Sequence, residues 1–247
     1  MIDQELARRV FSCIDNTTLG DTDSVQSVEA FCRHTLNFSL TVAAVCVYPR
    51  FVATAAKVLE GSGIKVASVA GAFPHGQLPL KLKVEEVRYA VGEGADEVDI
   101  VINRGLLLQG EENAVRDEVA AMKEACGDRT LKVILETGEL PTPELIRQAS
   151  MLAIEGGADF IKTSTGKSGQ GATLEAAEVM LNVIKNCVKI NKKLVGFKAA
   201  GGIRTPGEAM AYAELAKKVI GDDYINNQMF RIGASRLTDS LYSLLTF

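Results

Sequence analysis

Tryptophan is absent from this 247-residue chain, histidine occurs only twice, and aromatic residues make up 6%. His34 and His75 stand in unrelated segments and cannot supply the three or four ligands of a histidine-based metal centre. The cysteines (Cys13, Cys32, Cys46, Cys126 and Cys187) are odd in number, scattered, and never two residues apart as a redox or zinc pair. That pattern argues against a disulfide framework and points to a reducing, cytoplasmic setting. Long apolar runs are missing too. None approaches the ~18 residues of a membrane span, and Met1-Ile2-Asp3-Gln4-Glu5 has no basic stretch ahead of an apolar one. Neither a membrane segment nor a secretory leader is expected. Charge of one sign is also scarce: Asp and Glu number 31 against 27 Lys and Arg, a net charge of -4. No electrostatic footprint for nucleic acid or an anionic membrane results.

What is present is alternation. Short β-branched runs read as strands near Phe11–Asp15, Thr41–Val47, Lys65–Ala70, Asp96–Ile102, Leu131–Thr137, Asp159–Ser164, Leu194–Lys198 and Met229–Gly233. Between them lie helical patterns such as Ser24–Asn37, Leu80–Gly92, Pro143–Glu155, Thr173–Val188 and Pro206–Val219. Strand starts recur every ~25–35 residues, the length of a βαβ unit. An open doubly wound sheet would show a G-x-G-x-x-G after its first strand, and none is there. Gly166-Lys167-Ser168 has the ending of a Walker loop, but Ile161 stands where that loop needs glycine. The expectation is one α/β domain over residues 1–247, a closed (β/α)8 TIM barrel with a short N-terminal helix.

Alternate strand residues face a barrel's interior, and its chemistry sits at the C-terminal strand ends. On that parity Glu97 and Asp99 point inward from the fourth strand and Lys132 and Glu136 from the fifth. Phe160, Lys162 and Ser164 do so from the sixth, and Leu194, Gly196 and Lys198 from the seventh. Charges inside four consecutive strands are costly unless paired or used. Lys162 and Lys198 fall on neighbouring strands, ~4.8 Å apart. Two ammonium groups held so close disfavour the charged form, so one amine should be neutral, and a neutral lysine amine is the nucleophile of Schiff-base chemistry. Asp99 could move protons or steady a cation.

Glycine-rich segments follow three strands: Thr165-Gly166-Lys167-Ser168, Ala199-Ala200-Gly201-Gly202 and Gly233-Ala234-Ser235-Arg236. Exposed backbone N–H groups beside a helix start are the usual phosphate site of a barrel. Together they suggest a phosphorylated small molecule as partner.

Several segments resemble one family. Asp159-Phe160-Ile161-Lys162-Thr163-Ser164-Thr165-Gly166, Val195-Gly196-Phe197-Lys198-Ala199-Ala200-Gly201-Gly202 and Glu97-Val98-Asp99 are similar to the deoxyribose-phosphate aldolases, a class I aldolase family. So are Ile14-Asp15-Asn16-Thr17-Thr18-Leu19, Cys46-Val47-Tyr48-Pro49-Arg50-Phe51, Phe73-Pro74-His75-Gly76 and Leu135-Glu136-Thr137-Gly138-Glu139-Leu140. The resemblance implies reversible cleavage of 2-deoxy-D-ribose 5-phosphate to acetaldehyde and D-glyceraldehyde 3-phosphate in deoxynucleoside catabolism, without metal or organic cofactor. It makes Lys162 the Schiff-base lysine, Lys198 the lysine that perturbs it, and Asp99 a proton-relay carboxylate. Asp15, Cys46 and Lys132 match positions near that site. Thr165, Lys167, Gly201, Gly202, Gly233 and Ser235 match phosphate-binding positions. In the iminium, the bond between C3 and C4 of the sugar is expected to break. Family members often carry a second serine where Arg236 stands, and some end in a tail whose tyrosine assists proton transfer; Leu245-Thr246-Phe247 holds none. A symmetric homodimer is expected. Another phosphosugar enzyme, or a noncatalytic sugar-phosphate-binding barrel, is the rival reading.

Overall fold

The computed structural model describes residues 3–191 and 194–246, with backbone only at 188–191. Met1, Ile2 and Phe247, which the reading of the two termini used, lie outside the described residues. The first half comprises α1 (Gln4–Ser12), β1 (Ile14–Thr17), α2 (Val25–Leu36), β2 (Ala44–Val47), α3 (Val52–Leu59), β3 (Lys65–Ala70), α4 (Leu80–Gly92) and β4 (Glu97–Val101). It continues through α5 (Arg104–Leu108), α6 (Glu112–Cys126), β5 (Thr130–Ile134), α7 (Pro143–Glu155), β6 (Phe160–Lys162) and α8 (Leu174–Asn191). The chain closes with β7 (Gly196–Ala200), α9 (Pro206–Val219), β8 (Phe230–Ala234) and α10 (Leu237–Thr246). All eight strands pair in parallel in sequence order and β8 returns to β1, closing the expected barrel.

Local signals start the helices where the sequence places them. Ser24 and Ser27 form a reciprocal capping box on α2, as Thr205 and Glu208 do on α9. Thr142 caps α7 and Pro143 opens it. Several strand expectations need correction, the second starting only at Ala44 and the sixth ending at Lys162. Phe11 belongs to α1, because the Asp3 carboxylate caps that helix and Leu6, Val10 and Phe11 form its buried stripe. The seventh strand runs from Gly196 to Ala200, and Leu194, expected to face inward, is 45% exposed.

The barrel interior divides by strand. β2 and β3 fill their side with Ala44, Cys46, Ala67 and Val69, a small apolar cluster. The other strands bring in Asp15, Glu97, Asp99, Lys132, Lys162, Lys198 and Arg231. Helices cover the outside through a single large apolar cluster. Phe160 needs a small neighbour: its strand partner across β6 and β7 is Gly196, and a Cβ there would overlap the ring. Gly196→Ala is therefore expected to destabilise the fold by ~1–3 kcal/mol, read from the urea midpoint.

Candidate active site

Strand register brings the site together. Lys162 pairs directly with Lys198 across β6 and β7, and Asp99 pairs with Lys132 across β4 and β5. Lys162, Lys198 and Asp99 are all buried. Asp99 is the hub. Its Oδ2 accepts from Lys162 Nζ at 2.8 Å and from Lys198 Nζ at 2.7 Å, while Oδ1 accepts from Lys132 Nζ at 2.5 Å. The two lysine nitrogens thus lie within two hydrogen-bond lengths of each other. Lys198 also bonds Asp15, and Lys132 reaches Glu97 at 2.8 Å.

A second layer stands beneath. Arg231 donates to Asp15 at 2.6 Å and grips Glu97 through both terminal nitrogens at 2.9 and 2.7 Å. The sequence reading does not single out Arg231. Its signal is a cation in mid-strand at the same parity as Gly233.

Four cationic side chains (Lys132, Lys162, Lys198 and Arg231) therefore share three carboxylates (Asp15, Glu97 and Asp99) in one buried network. A buried excess charge is expensive, so the network favours releasing one proton. Lys162 is the cation with the weakest hold: its one salt bridge is to Asp99. Burial lowers its pKa from the ordinary lysine value, the Lys198 charge lowers it further, and Asp99 opposes both. Lys198 shifts the other way: burial acts against its charge, but Asp15 and Asp99 outweigh it. The same holds for Lys132, which burial opposes and Asp99, Glu97 and Asp15 keep protonated. Asp99, despite burial, stays ionised well below the usual carboxylate range because three lysines surround it. The geometry thus sets an amine of lowered pKa beside one of raised pKa on a single carboxylate oxygen.

Cys46 lies in the apolar half of the interior, and burial raises its thiol pKa, with Asp99 adding to the effect. That is the setting of an unreactive thiol. His34 sits on α2 and meets Asp239 at 2.7 Å, well away from this network. His75 lies in the loop after the Phe73–Pro74 peptide.

The expected phosphate residues gather at the C-terminal strand ends. Gly201 and Gly202 both have positive φ (90° and 85°), and a Cβ on Gly201 would come within 3.4 Å of Gly166. Ala172 N donates to Gly201 O at 2.9 Å, so the loops after β6 and β7 are in contact. Ser235 and Arg236 are exposed between β8 and α10. Lys167 is partly exposed, with Nζ 2.6 Å from Leu19 O. Gly233 lies deeper, where a Cβ would stand 3.0 Å from Lys198 Cε; its lack of a side chain makes room for that lysine. A separate cleft of about 730 Å3 between α7 and α8 contains none of these residues.

Residues 9–234 match the DeoC/LacD family aldolase model. A Caenorhabditis elegans protein provisionally named a deoxyribose-phosphate aldolase is 46% identical over 239 residues, spanning 94% of this chain and 79% of that protein. Among solved structures, the apo form of a provisionally named deoxyribose-phosphate aldolase from Toxoplasma gondii superposes with a TM-score of 0.89 at 26% identity, over 98% of this chain and 97% of that one. The tetrameric deoxyribose phosphate aldolase of Aeropyrum pernix gives 0.76 at 26% identity, over 96% and 91%. The inward lysines on neighbouring strands and this match along nearly the whole chain lead to one conclusion: the chain belongs to the DeoC/LacD aldolase family.

Proposed function

We propose that this protein cleaves 2-deoxy-D-ribose 5-phosphate reversibly through a Schiff base on Lys162, acting in deoxynucleoside catabolism in the cytoplasm. The observation that carries the reading is the shared Asp99 oxygen: it holds an amine of lowered pKa and one of raised pKa within reach of one substrate carbon. The relatives' names supply the sugar.

Neutral Lys162 adds to the C1 aldehyde of the open-chain sugar. A proton passed from the Lys198 ammonium, with Asp99 bridging, lets the carbinolamine hydroxyl leave as water and form the iminium. Carbon balance corrects the expected scissile bond. Acetaldehyde takes two carbons, so C2–C3 breaks rather than C3–C4. The C3 hydroxyl proton passes through water to the now neutral Lys198, the C2–C3 electron pair flows into the iminium, and C3 becomes the aldehyde of D-glyceraldehyde 3-phosphate. Lys198 then protonates C2 of the enamine, water adds to the resulting iminium and releases acetaldehyde, and the proton set free returns to Lys198 as Lys162 regains its neutral amine. The loops around Gly166, Gly201, Gly202 and Ser235, with Lys167, hold the phosphate and contribute remote binding energy. A homo-oligomer, the expected dimer or a tetramer like the A. pernix relative's, would be told apart by light scattering.

The test is borohydride reduction in the presence of acetaldehyde, followed by peptide mass mapping. An ethyl group on Lys162 is expected. A clean map with no modified lysine would leave a sugar-phosphate-binding barrel instead.

A further inference from the structure

We infer that Glu136 is a positioning residue, which holds the loop after Lys162 in the shape that receives the phosphate end of the substrate. The inference rests on the aldolase reading above. Glu136 follows β5 and adopts the left-handed conformation (φ 56°, ψ 59°); among the described residues only Ala72 is another non-glycine with positive φ. Such a backbone persists only where its surroundings over-determine it.

The kink changes how β5 meets β6. Leu135 N donates to Lys162 O at 2.9 Å, and Thr137 N then donates to Thr163 O at 2.9 Å. An unbroken parallel ladder would carry that second bond on to Ser164. The one-residue slip ends the strand two residues before Glu136, correcting the expectation that β5 continues to Thr137. The Glu136 side chain, 1% exposed, lies against the loop after β6. It accepts from Thr165 Oγ1 at 2.5 Å and from Thr165 N at 3.2 and 3.3 Å.

These bonds redefine Thr165. A hydroxyl has one hydrogen to donate, and this one goes to Glu136. Its oxygen accepts from Lys167 N at 3.0 Å, so Thr165 braces the turn that presents Gly166 and Lys167. Arg104 steadies the carboxylate from the other side: one terminal nitrogen lies 3.9 Å from Glu136 and donates to Pro74 O at 3.3 Å, while Nε lies 3.2 Å from Glu139. The loop is also confined sterically. A Cβ on Gly138 would stand 2.5 Å from Gln170 O, and Ala172 N is bonded to Gly201 O. None of the bonds made by Glu136 involves Lys162, Lys198 or Asp99, so its influence on turnover passes through the loop.

Glu136→Gln keeps the size but turns a donor toward Thr165. It is expected to lower kcat/KM for 2-deoxyribose 5-phosphate about tenfold, mainly by raising KM, and to shrink the preference over unphosphorylated 2-deoxyribose by a similar factor. Thr165→Val removes the same bond from its other end and should do likewise; the double variant should add little. Equal losses on both sugars in these variants, or an unaltered preference, would overturn the inference. Acetaldehyde trapping on the native protein keeps the two readings apart. If Lys162 is not trapped, the aldolase reading fails; if it is trapped and the preference is unmoved, only the role of Glu136 fails.

Discussion

Lys162→Leu is expected to abolish cleavage, on the order of ten-thousandfold in kcat, and to remove the borohydride-trapped ethyl adduct entirely. The physical reason is that the remaining lysines of the interior cannot replace it. Lys132 is bound to Asp99, Glu97 and Asp15, and Lys198 to Asp15 and Asp99, so both stay protonated and lack a free electron pair. The variant should nonetheless fold. Leucine replaces a side chain with one hydrogen bond to a charged group, worth about 1.5–3 kcal/mol, and Asp99 keeps two cationic partners. Retained thermal stability with lost turnover is the expected pair of results; a Lys162→Leu protein with ordinary turnover would refute the assignment.

Lys198→Leu should act by a different route, visible in the pH profile. In the native network, three cations other than Lys162 balance three carboxylates, and Lys162 can be neutral. Removing Lys198 leaves Asp15, Glu97 and Asp99 facing only Lys132 and Arg231. Proton uptake by Lys162 then restores the balance, and the loss of the Lys198 charge itself also raises the Lys162 pKa. The sign follows: imine formation needs the neutral amine, so the acid limb of kcat/KM against pH moves to higher pH. The general acid is lost as well, and turnover at neutral pH should fall roughly a hundredfold or more. An unshifted acid limb in a folded Lys198→Leu protein would show that Lys198 does not tune the nucleophile. Circular dichroism at each pH keeps unfolding apart from titration.

Much of the site was legible in the chain because strand parity is a local property. Alternation places Asp99, Lys132, Lys162 and Lys198 on one face wherever the strand boundaries fall, so a two-residue error at Leu194 left Lys198 pointing inward. The boundary error at Phe11 arose from competition between two patterns. A short, partly apolar run reads as a strand until the Asp3 cap and the spacing of Leu6, Val10 and Phe11 claim its start for a helix. Glu136 defeated the parity rule for a stronger reason: its left-handed backbone ends the alternation, and nothing in the local residue pattern demands that conformation.

The amino-acid sequence by itself determined the barrel, through eight regularly spaced apolar runs and the glycines between them, and it determined that lysines and carboxylates face the interior. Only the tertiary structure decided which lysine has its pKa lowered and which have theirs raised. Protonation is set by the balance of charges within a few ångströms: the carboxylates come from β1 and β4 and the competing cations from β5, β7 and β8, segments as far apart in the chain as Asp15 and Arg231. Separation in sequence likewise hid the grip of Arg231 on Glu97 and the bond from Thr165 to Glu136. Each depends on where closure of the barrel puts two residues, which residue type and spacing do not encode.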